Sequence, residues 1–91
     1  MAEQIIVSET EITVEIAPSA LKHGKTPADI FLVLENSIHD ETLEAEPNKT
    51  LLIGFDANAK ITEMLLHVVS DEHIVVYHAM DCRKVYLDRM R

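Results

Sequence analysis

Residues 49–91, KTLLIGFDANAKITEMLLHVVSDEHIVVYHAMDCRKVYLDRMR, decide the fold. Leu51 to Phe55, Ile61 to Val69 and Ile74 to Met80 are rich in β-branched and aliphatic residues and have the length of ordinary strands. The segments between them, DANAK and SDEH, are polar and turn-forming, so both joints read as hairpins. The stretch predicts a β-meander that runs directly into a short basic helix. With Val69 facing Ile74, Leu65 falls opposite His78, and Glu63 and His67 become diagonal neighbours of that histidine. This face then carries Ile61, Glu63, Leu65, His67, Val69, Ile74, Val76, His78 and Met80. The other face holds Thr62, Met64, Leu66, Val68, Val75, Tyr77 and Ala79, is almost wholly apolar, and is the expected seat for helices. A slip of one residue reverses the grouping.

Working outward, Ala17 to Gly24 reads as a short helix with Pro18 near its first position and Gly24 supplying a left-handed stop. Thr26-Pro27-Ala28-Asp29 is a second helix start: Thr26 caps, Pro27 fits the first turn, and Asp29 can reach back as in a capping box. Ile30, Phe31, Val33 and Leu34 give that helix an apolar stripe for the sheet. Gln4 to Val7 and Ile12 to Ile16 predict an N-terminal strand, or a short hairpin around SETE, at a sheet edge. Ile38 to Glu46 predicts an acidic edge strand followed by a turn at Pro47-Asn48. Asp81 is placed to cap a C-terminal helix over Cys82 to Met90, with Val85 and Met90 resting on the body. The expected architecture is one α+β domain over residues 1–91. Its sheet is mostly antiparallel with four to five strands, accompanied by two short N-terminal helices and a C-terminal helix.

Composition narrows the function. The net charge of −8 opposes broad nucleic-acid affinity, which depends on Lys and Arg neutralising phosphates. The charge is unevenly spread: residues 1–50 hold ten acids and three bases, whereas 82–91 hold Arg83, Lys84, Arg89 and Arg91 against Asp88. Contact with a polyanion should therefore fall at the C-terminal end. MAEQ has neither a basic nor an apolar leader character, and no apolar run approaches the ~20 residues of a membrane span. A cytoplasmic protein without a membrane partner is expected. One cysteine, Cys82, excludes an internal disulfide and any multi-cysteine metal site. Glycine-loop, nucleophile-elbow and HExxH signatures are absent, and His73 and His78, five residues apart on one strand, are expected on opposite faces, so neither a metal nor a cofactor is expected.

Glu63, His67 and His78 could hold an acid and a base, with Arg83 or Lys84 near enough to bind a phosphate. RNA cleavage needs that inventory: a base for the 2′-OH, an acid for the departing 5′-oxygen and cations for the charged phosphorane. Lys22 and His23 offer either a favourable pairing with the helix C-terminus or a phosphate contact, and Tyr86 stands at the margin of the basic helix. The bland reading is a His–Glu pair that satisfies a half-buried sheet face.

Leu21 to Tyr86 resembles the BrnT-like toxins of bacterial type II toxin–antitoxin systems, which share the fold of RelE-type ribonucleases. The matching features are Lys22-His23-Gly24 before the capped helix TPADIFLVL, Leu51-Leu52-Ile53-Gly54, the strand ITEMLLHVV, and IVVYHAM running into a basic helix. A small actinobacterial branch with the same His78-Ala79-Met80 strand end looks closer still. The resemblance implies a toxin-like RNase; the residues themselves offer a metal-independent site with His78 as general acid or base, Glu63 or His67 as its partner, and Arg83, Lys84, Lys22, His23 and Tyr86 as phosphate or RNA contacts. The resemblance also implies a cognate antitoxin and RNA as partners. The competing reading is a non-catalytic binding or dimerisation module that keeps the toxin fold, favoured by the acidic total and by Met80-Asp81 where such toxins tend to carry arginines. The open apolar residues around His78 predict a homo-oligomer or a complex. The acids Asp40, Glu41, Glu44 and Glu46 predict a basic partner.

Overall fold

The computed structural model describes residues 5–9, 12–43 and 49–90. The elements are β1 (Ile5–Glu9), β2 (Ile12–Ile16), a 3₁₀ turn (Pro18–Leu21), α1 (Pro27–Glu35), β3 (His39–Thr42), β4 (Lys49–Phe55), β5 (Ile61–Ser70), β6 (His73–Asp81), α2 (Lys84–Leu87) and a second 3₁₀ turn (Asp88–Met90). The strands form one mixed sheet in the order β1-β2-β6-β5-β4-β3. The meander β4-β5-β6 and the N-terminal hairpin are antiparallel, as the sequence predicts, and β3 is an edge strand antiparallel to β4. The sheet carries six strands where four to five are expected, because β2 joins β6 in a parallel pairing, Thr13 to His73 through Ile16 to Val76.

The helices depart further from expectation. The first is a single 3₁₀ turn, Pro18–Leu21, which follows β2 directly and lies along β6: Ala17 N–H donates to the Val76 carbonyl, and the Ser19 hydroxyl donates to the Tyr77 carbonyl at 2.6 Å. The C-terminal helix is one turn that begins at Lys84 rather than Cys82. Asp81 does not cap it. Asp81 belongs to β6 opposite Thr62, Cys82 N–H extends the ladder to the Ile61 carbonyl, and the Asp81 carboxylate accepts from Lys25 Nζ at 2.6 Å. Val85 is 62% exposed, so it does not rest on the body.

α1 forms as its residues dictate. The Thr26 hydroxyl accepts from Asp29 N–H at 3.1 Å while the Asp29 carboxylate accepts from Thr26 N–H at 2.9 Å, so two orphan donors of the first turn are satisfied. Ile30 and Val33 are buried with Val14, Ile16, Ala20, Leu52, Met64, Leu66, Val76 and Ala79, and Phe31 and Leu34 flank that cluster. The helix lies close on β4: a Cβ at Gly54 would stand 3.4 Å from the Cα atoms of both Val33 and Ser37.

Register decides what faces the other way. Leu65 is opposite His78, as predicted, but only because two irregularities offset each other. One extra residue, Val69, sits in β5 near the turn, and another, Tyr77, sits in β6 opposite the Leu65–Leu66 step. Between them the parity of β6 is reversed. Val76 therefore turns into the helix-side core, with Ile74 packed against it, while Val75 and Tyr77 share the second face with His67 and His78. The expected placement of Ile74, Val76, Val75 and Tyr77 is corrected accordingly. So is that of His73, which bonds to Glu15 and lies on the face of His78 rather than opposite it.

Part of the second face is covered by the chain itself. Arg83 bonds to Glu63 on β5 and Arg89 bonds to Glu41 on β3, so the chain from 83 to 89 crosses β4 on this side. Leu51 and Ile53 of β4, paired with Glu41 and His39, are 0% exposed. Of the apolar residues from which a homo-oligomer is expected, Ile74 and Val76 belong to the helix-side core, Leu65 is half-buried and Val69 is 59% exposed.

Candidate functional site

Glu63 is the centre of the arrangement. It sits mid-sheet in β5, its carboxylate is 0% exposed, and both oxygens are occupied. Arg83 N–H donates to Oε1 at 2.8 Å, Arg83 Nε donates to both oxygens at 3.1 Å, and Arg83 Nη2 donates to Oε2 at 2.7 Å. His78 Nε2 completes the set, 2.8 Å from Oε2. Burial alone would raise the Glu63 carboxyl; the hydrogen bonds of the Arg83 side chain, the Arg83 N–H and His78 outweigh it and hold the group below the ordinary carboxylate value. The Arg83 guanidinium is correspondingly stabilised in its charged form by Glu63.

An ionised carboxylate only accepts, so the proton on His78 Nε2 is directed at Glu63, and Nδ1 is the ring atom left for other chemistry. The His78 side chain is 17% exposed and the Arg83 side chain 50% exposed, so a cation stands at the mouth of a sheltered imidazole. Tyr86 lies under the Arg83 guanidinium, 5.3 Å from ring centroid to carbon. His23, on the turn after Pro18–Leu21, brings its ring edge-on to His78 with centroids 5.7 Å apart. That approach follows from the way residues 17–25 run beside β6: Ser19 binds at Tyr77, His23 meets His78, and Lys25 reaches Asp81.

Five of the eight residues singled out in the sequence are therefore brought together: Glu63, His78, Arg83, Tyr86 and His23. His67 stands in the same face but its ring stacks on Tyr77 at 4.6 Å and 22°. Lys84 is exposed and paired with Asp88 at 2.8 Å. Lys22 is exposed beside His23. The Cys82 thiol is pushed up by burial and then by the Glu63 charge, which makes it a poor nucleophile. Of the acidic edge, Glu41 is occupied by Arg89 and His39 and held down to about 2, the Arg89 hydrogen bond contributing most; Glu44 and Glu46 lie outside the described residues. Among the described residues no group of three or more His, Cys, Asp or Glu is placed to hold a metal ion, and no helix is long and apolar enough to cross a membrane.

One cluster was not legible in the sequence. Lys25, 7% exposed, donates to Asp56 at 2.7 Å as well as to Asp81, and Asp56 also accepts from Asn58 N–H at 2.8 Å and Lys60 N–H at 2.9 Å. Burial opposes the Lys25 charge, but the hydrogen bonds to both aspartates prevail and raise its pKa; Asp56 is lowered, first by Lys25. The cluster ties the segment before α1 to the β4–β5 turn and the end of β6, which fixes where residues 22–25 lie. Compared with known proteins, the chain matches no family model, no curated protein and no solved structure.

Proposed function

We propose that the protein is a toxin-like component of a type II toxin–antitoxin system, a cytoplasmic ribonuclease that cleaves RNA without a metal and is neutralised by a cognate antitoxin. The observation that carries this reading is the His78 ring, sheltered, fixed in one tautomer by the buried Glu63 carboxylate, and flanked by a half-exposed guanidinium. His78 Nδ1 takes the 2′-OH proton, and the carboxylate at Nε2 stabilises the imidazolium that results. Arg83 meets the charge that builds on the phosphorane with the part of its guanidinium that faces solvent. Glu63 is a positioning residue: it reaches the reaction only through His78 and Arg83. Lys22, Lys84 and Tyr86 supply contacts to the flanking RNA. A non-catalytic binding module is favoured by one observation, the net charge of −8, which repels RNA away from the C-terminal end.

The test is cleavage of mixed RNA by purified protein, with and without EDTA. His78→Ala should reduce the rate by roughly 10²–10⁴-fold, the usual contribution of a positioned acid or base, and EDTA should leave it unchanged. Arg83→Ala should weaken transition-state binding. RNA left intact by the wild type assigns the fold to the binding module instead, and RNA cut equally fast by His78→Ala overturns the role given to His78.

A further inference from the structure

Resting on the ribonuclease reading, we infer that His23 is the second catalytic group of the site, the general acid that completes the pair with His78. Cleavage by the 2′-hydroxyl needs a base on one side of the phosphorus and an acid on the other. Glu63, adjacent to His78 in the sheet, cannot serve: it is 0% exposed and both its oxygens are occupied by Arg83 and His78. His67 is engaged in its stack with Tyr77. His23 is exposed, approaches His78 ring to ring at 5.7 Å, and has no carboxylate partner among the described residues. It is delivered there by structure, since the Ser19 bond to Tyr77 on one side and the buried Lys25 cluster on the other hold residues 19 to 25 along β6.

The proton inventory closes. His78 Nδ1 removes the 2′-OH proton as the 2′-oxygen bonds to phosphorus. The bond from phosphorus to the 5′-oxygen breaks, and the imidazolium of His23 gives that oxygen its proton. His78 is left protonated and His23 neutral, and exchange with solvent restores both. The ring-to-ring contact leaves no room for a phosphate, so His23 must turn about its side-chain torsions to admit one, a motion that an exposed side chain makes in picoseconds to nanoseconds. Among the described residues, Glu63 on β5 bonds His78 and Arg83, Tyr86 lies under the Arg83 guanidinium, the Cys82 thiol stands near Glu63 and Arg83, and Lys22 precedes His23 on its turn.

The experiment compares wild type, His23→Gln, His78→Gln and the double variant on a defined oligoribonucleotide across about pH 5 to 9. The wild type should show a bell-shaped rate profile. His23→Gln should lose about 10²-fold or more in kcat with little change in KM, lose the limb in which activity falls as the acid deprotonates, and recover activity on addition of imidazole. The double variant should be little slower than the slower single one. A 2′-deoxy analogue, which cannot be cleaved, should move the ring resonances of both His23 and His78 in NMR spectra. If His78→Gln is inactive while His23→Gln keeps the bell and a rate within about threefold of wild type, or if the analogue moves His78 alone, the inference is overturned and the ribonuclease reading stands. A wild type that leaves the oligoribonucleotide intact overturns both.

Discussion

Replacing Glu63 by Gln removes one charge and almost no volume from the middle of the sheet. The carboxylate accepts from the Arg83 N–H, Nε and Nη2 and from His78 Nε2, and it is wholly buried. Breaking a buried pair costs about 3–5 kcal/mol when the remaining charge stays buried. Arg83 is half exposed and can rehydrate, and the glutamine oxygen still accepts, so the loss should be about 2–3 kcal/mol. For a domain of this size that is a fall of roughly 10–20 °C in Tm. The pH dependence has a definite sign. The folded Glu63 carboxyl lies below its ordinary 4.5, so its contribution is complete above 4.5 and is lost as the pH falls through the folded value. The gap between wild type and variant should therefore be full near neutrality and shrink in acid. Urea denaturation at both pH values measures it. In the same variant, tryptic cleavage after Arg83 and Lys84 should accelerate, and the His78 ring nitrogens should report a mixture of tautomers where the wild type reports one. A gap under about 0.5 kcal/mol near pH 7, or a gap of equal size in acid, would refute the reasoning.

Three further outcomes are expected. Lys25→Met leaves Asp56 buried without its cation and should cost about 3 kcal/mol by denaturant unfolding, whereas Lys60→Met, at an exposed position, should cost under about 0.5 kcal/mol. Stability should fall in acid, as Asp29, Asp56 and Glu63 are protonated below their ordinary 3.8 and 4.5, and Lys25, raised above 10.5, should withdraw its contribution only as the pH rises beyond 10.5 through its folded value; the alkaline loss should be smaller in Lys25→Met. Ala59 adopts φ 61° in the turn after β4, where an L-residue costs about 1–2 kcal/mol, so Ala59→Gly should raise Tm even though glycine is the more flexible residue when unfolded.

Much of this structure is legible in the sequence where interactions are local. Thr26-Pro27-Ala28-Asp29 announces α1 because the capping bonds span three residues, and the meander is announced by polar turns between aliphatic runs. The nearness of Glu63 to His78 also follows from the sequence, since Leu65 and His78 do face each other. The rest depends on what no local pattern encodes. Tyr77 and Val69 become the extra residues of two irregularities with neither glycine nor proline to mark them, and so the face of Val75, Val76 and His73 is inverted relative to strict alternation. The parallel pairing of β2 with β6 joins segments about sixty residues apart, and the Lys25 cluster draws on three separate turns and strand ends. The crossing of β4 by residues 83 to 89 depends on Arg83 finding Glu63 and Arg89 finding Glu41. A sequence reading sees those arginines only as a basic end. His23 was visible as a phosphate contact, but its place beside His78 appears only once residues 17–25 are laid along β6.

The central claim is that His78 performs metal-independent transphosphorylation, and the chemistry of the cut ends tests it most directly. RNA incubated with the purified protein in EDTA should be analysed by mass spectrometry of the fragments. The account predicts 2′,3′-cyclic phosphate on the upstream fragment and a free 5′-hydroxyl on the downstream one, with both products absent from a His78→Ala digest whose melting curve shows the protein folded. A 3′-hydroxyl with a 5′-phosphate, or the same fragments from His78→Ala, would contradict it.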